Sequence, residues 1–268
     1  MPKELDYMEY PTNALAQAAY VSNGEPSSWD LFNEDCADFT GWTDGDGGDA
    51  VSSINPAGQF QFDSGSVGVA NYATEGIDFG STPNTFTVNV ELYHDALGTR
   101  GATEGNDDFQ IDVRQADEIF RAIFGTDGLF LRDTGSGYTE VGTDLVKSNA
   151  SAEWQEWRFL VTFGTVGDGV CNVYLKDSTY PAWSKVGTAI PCSYVAGVTD
   201  GYTRFIQYGT STAHRITHVE YYQIATGLYP PTLQSYSEPT IKTQGSYSLK
   251  GVAAITDSLN KTLTRTIS

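Results

Sequence analysis

Between Ala152 and Asp177 the chain reads AEWQEWRFLVTFGTVGDGVCNVYLKD, two runs of alternating side-chain type separated by a Gly/Asp turn region. Alternation at period two over seven and six residues predicts a β-hairpin. In the first run Trp157, Phe159, Val161 and Phe163 share one face and Arg158, Leu160 and Thr162 the other. In the second, Cys171, Val173 and Leu175 oppose Asn172, Tyr174 and Lys176. A sheet with one dry face and one mixed face has to be half of a sandwich.

The same period recurs along the chain. Phe60 and Phe62 alternate with Gln59, Gln61 and Asp63. In TFTVNVELY, Phe86, Val88, Val90 and Leu92 oppose Thr87, Asn89, Glu91 and Tyr93, and in DDFQIDVR, Phe109, Ile111 and Val113 oppose Asp108, Gln110, Asp112 and Arg114. Ile119 to Phe124 and Leu129 to Arg132 are joined by Gly-Thr-Asp-Gly, a turn signal. Tyr138 to Val141, Arg204 to Tyr208 and His218 to Ala225 predict further strands, whereas Tyr180 to Ile190, with Pro181 and Pro191, predicts a loop. With 28 glycines and little helical periodicity, the composition is that of an all-β, turn-rich chain. One short helix is expected, Ala14 to Tyr20, capped by Thr12 or Asn13.

These readings divide the 268 residues into three parts. Residues 1–30 are a helix and linker, 31–228 the sandwich, and 229–268 a Pro-Pro linker with three short strand candidates, Gln234 to Ile241, Ser246 to Ile255 and Lys261 to Ile267. Three strands are too few for an ordinary core, so self-association through the C-terminal strands, or packing on the main domain, is expected.

A net charge of −19, spread along the chain, repels phosphate backbones and argues against nucleic acid as partner. Neutral or cationic glycans and divalent cations fit that surface. The three cysteines, Cys36, Cys171 and Cys192, have no zinc spacing; Cys171 and Cys192 are the pair that neighbouring strands could bring together, and the alternative is three small buried hydrophobes. The N-terminus, MPKELDYMEYP, has no signal-peptide pattern, and no run is long and apolar enough for a membrane span.

The pattern of Glu-Trp, hydrophobic strand, turn and NVYLKD resembles the central hairpin of concanavalin A-like lectin/glucanase jelly rolls, laminin-G-like modules included. DCADFTGW followed by a glycine loop and QFQFDSG resembles their opening, and HVEYYQIATG their closing strand. The C-terminal segment resembles the start of a further carbohydrate-binding module. Together with the MEY…AQAAYVSN opening it is similar to modular proteins of tailed phages and environmental viral sequences. The resemblance implies a two-sheet antiparallel jelly-roll β-sandwich acting as a non-catalytic, lectin-like module for a polysaccharide or cell-surface glycan, extracellular or virion-associated. Two alternatives stand beside it: a glucanase-like hydrolase or a polysaccharide lyase on the same fold, and a structural virion protein.

Candidate sites follow. Glu91, Tyr93, Asp108, Gln110, Asp112, Arg114, Arg158 and Tyr174 line a glycan groove if their strands neighbour one another. Under the enzyme reading Asp108 and Asp112 are the candidate acids, although the family motif carries Glu at the outer positions and an acid where Gln110 stands. A lyase needs Tyr, His, Arg and Gln together, for which Arg204, Gln207, Tyr208 and His214 are candidates. Asp44, Asp46 and Asp49 on a glycine loop suit a Ca2+ ion, and the resemblance nominates Asp35 or Asp38 with Glu220 as an alternative set.

Overall fold

The computed structural model describes residues 25–78, 85–100, 107–114, 118–132, 137–162, 169–192, 200–210, 213–231, 235–238 and 248–251. Its strands are β1 (Phe32–Glu34), β2 (Trp42–Asp44), β3 (Val51–Ile54), β4 (Phe60–Asp63), β5 (Val69–Asp78), β6 (Thr85–Ala96), β7 (Phe109–Arg114), β8 (Glu118–Gly125), β9 (Gly128–Arg132), β10 (Tyr138–Gly142), β11 (Trp154–Thr162), β12 (Gly169–Lys176), β13 (Ser184–Cys192), β14 (Asp200–Tyr208), β15 (Ile216–Thr226), β16 (Ser235–Glu238) and β17 (Ser248–Gly251). One 3-10 turn, Asn149–Ser151, is the helical element among the described residues. The helix expected at residues 14–20 lies outside them.

Two antiparallel sheets face each other. The first runs β13-β12-β11-β6-β15-β4-β3, with β1 added against β15; the second runs β10-β9-β8-β7-β14-β5-β2. The predicted central hairpin forms in the register the alternation requires, Trp157 opposite Leu175 and Phe159 opposite Val173. Next to it β6 sets Val88 and Val90 opposite Phe159 and Trp157, so the apolar side of all three strands faces inward.

The core is aromatic. Trp157 packs its edge against Phe124 of the second sheet at 5.5 Å between ring centroids, and Phe62 meets Phe109 at 6.0 Å and Phe205 at 5.4 Å. Trp42 stacks on Phe205 at 5.2 Å. Each fully buried large side chain of this kind removes enough apolar surface from water to contribute about 2–3 kcal/mol.

Several polar groups that enter the interior are paired across it. Gln207 Nε2 donates to the Asp108 carbonyl, and Gln207 Oε1 accepts from the Thr217 hydroxyl at 2.6 Å. Thr203 donates to the Asp112 carbonyl, which leaves the Tyr222 hydroxyl to donate to Thr203 Oγ1 at 2.7 Å. A register shift between Val219 and Tyr221 lets both Val219 and Tyr222 face the core and pushes Glu220 outward.

Two elements differ from the sequence expectation. Ser184–Cys192 is a strand, not a loop. It lies at the edge of the first sheet, where Pro191 is tolerated because one side of the strand has no ladder to complete. Residues 25–30, read as linker, pack on the sandwich: Glu25 pairs with Arg158 and the Asp30 carboxylate accepts from Thr226 N. Beyond the sandwich, β16 and β17 pair with each other, Ser235 opposite Gly251; the third expected strand, Lys261 to Ile267, lies outside the described residues.

Candidate ligand-binding face

On strand β7 both faces are buried. Its inward side is apolar, as the period demands. Its outward side carries Gln110 and Asp112, preceded by Asp108, and all three are at most 1% exposed. Burying charged and amide groups on the outside of a sheet is costly unless they are paired. The pairing comes from the neighbouring strands. Asp112 sits between Arg121 of β8 and Arg204 of β14, its register partners on either side. Arg121 Nε donates to Asp112 Oδ1 at 2.6 Å and its Nη2 to Oδ2 at 3.1 Å, a bidentate fork; Arg204 Nε donates to Oδ2 at 3.0 Å. Arg121 Nη1 reaches the Tyr138 hydroxyl of β10 at 3.1 Å.

One row along, Gln110 stands between Ile123 and Ile206. Its Nε2 donates to Asp108 Oδ1 at 2.8 Å, so the amide is oriented and its Oε1 is an acceptor. That oxygen is buried and has no hydrogen-bond partner. Asn71 Oδ1, on β5 in register with Ile206, is in the same condition. Around this floor lie half-buried groups: Arg100 stacked over Phe130 and Tyr138 at 4.7 and 4.5 Å, Arg114 over Tyr202 at 5.8 Å, and Tyr208 at the end of β14. Burial raises the Tyr208 phenol above its ordinary pKa.

The predicted groove residues are therefore split. Asp108, Gln110, Asp112 and Arg114 are on the second sheet's outward face, whereas Glu91, Tyr93, Arg158 and Tyr174 are on the outward face of the first sheet, the opposite side of the molecule. The alternation of β6 and β7 was read correctly, but period two does not say which sheet a strand joins. Arg158, moreover, is 3% exposed and engaged within the chain. It donates to Asn89 Oδ1 at 3.1 Å, forks onto Glu25 at 2.9 and 3.0 Å, and lies over Trp29 and Trp183 at 5.8 and 4.9 Å. Glu91, Tyr93 and Tyr174 remain half-buried beside Trp154, His218 and Glu156.

The enzyme candidates are not arranged for hydrolysis. Asp112 is held by two guanidiniums and Asp108 is fully buried against Gln110. The lyase candidates are scattered: Gln207 turns inward, and His214 lies exposed against Asp63 at 3.0 Å. Arg121 and Gln110, not His214 and Gln207, join Arg204 and Tyr208 on one face. Arg121 was missed because EIFRAIF reads as an apolar run; its parity with Asp112 across a hairpin is the signal that was there.

The acidic candidates serve their own loops. Asp46 accepts from Ser52 N, Ser52 Oγ and Asn71 N; Asp49 from Ser66 N, Ser66 Oγ and Val67 N; Asp44 from Asp46 N. Those bonds hold the Asp49 carboxyl well below the usual range, the Ser66 hydroxyl first among them. Asp35 and Asp38 accept from the amides of Ala37 and Thr40, and Glu220 faces Gln59. Among the described residues no three His, Cys, Asp or Glu side chains come together as a metal site. Cys36 and Cys171 are both buried in the core.

No protein-family model matches the chain, and no curated protein matches it. Solved structures do. The carbohydrate recognition domain of Emp47p is 14% identical, with 76% of this chain and 100% of that chain covered and a TM-score of 0.50. The fold is an antiparallel two-sheet jelly-roll sandwich. Lectin I-B4 from Griffonia simplicifolia (8% identity, 74% and 99% covered, TM-score 0.45) and alginate lyase AlgAT5 of polysaccharide lyase family 7 (12% identity, 68% and 85% covered, TM-score 0.43) are also similar. At these identities the jelly roll is what is shared. Among the described residues no helix is long and apolar enough to cross a membrane.

Proposed function

We propose that this jelly roll is a non-catalytic carbohydrate-binding module and that it takes its glycan on the outward face of the second sheet. The observation that carries the reading is the buried, unpartnered acceptor Gln110 Oε1, with Asn71 Oδ1 one strand beyond Ile206. A buried acceptor without a donor costs about 1–3 kcal/mol, and a sugar hydroxyl is a donor that relieves it. The Arg204 guanidinium, whose side chain is 20% exposed, and the half-buried Tyr208 ring stand beside these acceptors and add a planar donor and a ring face of the kind that bind sugars.

Binding is favoured over cleavage by the state of the acids. A hydrolase needs one carboxylate free to attack and one protonated to donate. Asp112 is instead a hub for two arginines, and Tyr208, the base a lyase would draw on, is made less acidic by burial. A glycan ligand carries with it an extracellular setting, on a secreted protein or on a viral appendage.

The test is a polysaccharide panel scored for binding and for reducing-end or unsaturated-end release, using the wild type, Gln110→Ala and Asp112→Asn. Binding without release, weakened at least fivefold in Gln110→Ala, is the expected result. Release by the wild type that Asp112→Asn abolishes makes the protein an enzyme and overturns the reading.

A further inference from the structure

One outward row of the second sheet runs across five strands, from Asn71 on β5 through Ile206 on β14, Gln110 on β7 and Ile123 on β8 to Phe130 on β9, each in register with the next. Its two polar members are the amides whose oxygens are buried without a donor, and Ile206 separates them. Neighbouring strands lie about 4.8 Å apart, so Asn71 and Gln110 stand about 10 Å apart along the row. The row is graded in exposure. At one end Gly45, whose N–H donates to the Asn71 carbonyl at 2.8 Å, is exposed and Asn71 is half-buried, whereas Ile206, Gln110 and Ile123 are at most 2% exposed. At the other end the Arg100 guanidinium lies over Phe130 and Tyr138. Gly45 keeps the open end clear. Its φ lies outside the left-handed region, so the local backbone does not demand glycine, but a Cβ there would stand 3.2 Å from Asn71 Nδ2 and 3.3 Å from the Asn71 carbonyl oxygen.

Resting on the glycan reading above, we infer that this face recognises the end of a linear, neutral glycan, whose chain enters over Gly45 and Asn71 and whose last residue reaches Gln110. Two acceptor oxygens ask for two hydroxyl donors, and their lone pairs repel a carboxylate or a sulfate, so the sugar units that face them are uncharged. An extended pyranose chain advances by roughly one strand spacing per residue. The engaged hydroxyls then belong to the terminal sugar and the third, and the second lies over Ile206, which meets a C–H face and offers no hydrogen bond. Gln110 is the more exacting partner, because the bond from Nε2 to Asp108 Oδ1 keeps its amide from turning. A chain running through would have to continue beneath the Arg100 stack and over the buried Ile123; a chain end does not.

The experiment measures calorimetric affinity for xylo-, cello-, manno- and malto-oligosaccharides of one to six residues, and for the best-bound trisaccharide methylated on the hydroxyls of either terminal residue. In a series that binds, affinity should climb on the order of tenfold from one residue to three, the worth of one well-made hydrogen bond, and then stay level. Methylation of one terminal residue should cost on the order of tenfold or more, and methylation of the other almost nothing. Asn71→Ala should remove the gain from the third residue and leave monosaccharide affinity unchanged, and Gly45→Val should weaken the trisaccharide while the melting temperature holds. The oligosaccharide series is read on the wild type, so it decides even where a variant disturbs the β2 edge. Affinity that keeps rising to six residues, with both ends tolerating methylation, overturns end recognition, and so does a monosaccharide bound as tightly as the trisaccharide; the glycan face stands in both cases if Gln110→Ala still weakens binding. Polysaccharide binding that depends on Gln110, with no oligosaccharide bound, also overturns end recognition alone. Binding indifferent to Gln110→Ala and Asn71→Ala, or no binding to any glycan, overturns both readings.

Discussion

Glu91 and Glu156 are register partners on adjacent strands of the first sheet, and Tyr221 flanks Glu91 on its other side. Like charges directly opposite one another on a sheet destabilise it. Glu156 is steadied by Lys176 and by the Tyr221 hydroxyl at 3.2 Å, so Glu91 yields: partial burial first, then repulsion from Glu156 and Glu220, pushes its carboxyl from 4.5 up to about 7.

A raised carboxyl pKa makes folding favour the protonated acid. The penalty is absent below pH 4.5, grows as pH rises towards 7, and is complete above it. Glu91→Gln should therefore leave the melting temperature unchanged at pH 4 and raise it at pH 8, by the equivalent of about 1 kcal/mol once solvent screening of this half-exposed site is allowed for. Calorimetric melting at the two pH values checks it. A gain of equal size at pH 4 would mean that charge is not the cause.

His94 reverses the sign. Thr217 gives its hydroxyl proton to Gln207, so the 2.9 Å contact with His94 Nδ1 makes Nδ1 the donor and leaves Nε2 a lone pair without partner, between Phe109 and Phe124. Burial lowers the pKa from 6.5 to about 3. The unfolded chain takes up a proton below pH 6.5 and the folded chain does not, so stability present at pH 7 is lost as pH falls from 6.5 towards 3. His94→Leu should cost about 1–2 kcal/mol at pH 7, and its denaturation midpoints should decline less steeply than the wild type's between pH 6 and 4.

Arg158 is predicted to matter for stability and not for ligand. Arg158→Ala removes the partner of Asn89 and Glu25 and the stack with Trp29 and Trp183, and should cost about 2–4 kcal/mol. Glu25→Gln should cost under about 1 kcal/mol, because Glu25 is 48% exposed. Urea midpoints give both, and limited proteolysis should cut residues 25–31 faster in Arg158→Ala.

The glycine loop offers a calcium test. Asp46→Ala removes the acceptor of three hydrogen bonds and should cost about 2 kcal/mol. If those bonds are the carboxylate's whole purpose, millimolar CaCl2 shifts the wild-type melting temperature by less than about 1 °C. A rise of several degrees, lost in Asp46→Ala, would establish a bound ion.

The fold was legible wherever a strand carries large apolar residues at period two, as in β6, β7 and β11. It was not legible in β5, where the inward positions are Ala70, Tyr72 and Thr74, too mixed to stand out, although this ten-residue strand bridges β14 and β2. Nor was β13, disguised by Pro191 within it and Pro181 just before it. Of the site, Gln110 and Asp112 were found from parity, and Arg121 was not, because its strand is buried on both sides and its role depends on a partner nine residues away across the hairpin. Sheet membership was the missing quantity: it is set by long-range packing of the inward faces, about which the outward residues carry no information.

The Arg158 clasp also fixes how the sandwich hangs in its chain. Glu25 on the incoming side and the Tyr229 carbonyl on the outgoing side meet at one guanidinium, on the outer face of the first sheet. The polypeptide arrives and leaves at nearly the same point, so the sandwich is a pendant on its chain and not a link in it. Pulling on the two ends loads the clasp before it loads the sheets, and the arginine-lined side is turned away from the line of attachment.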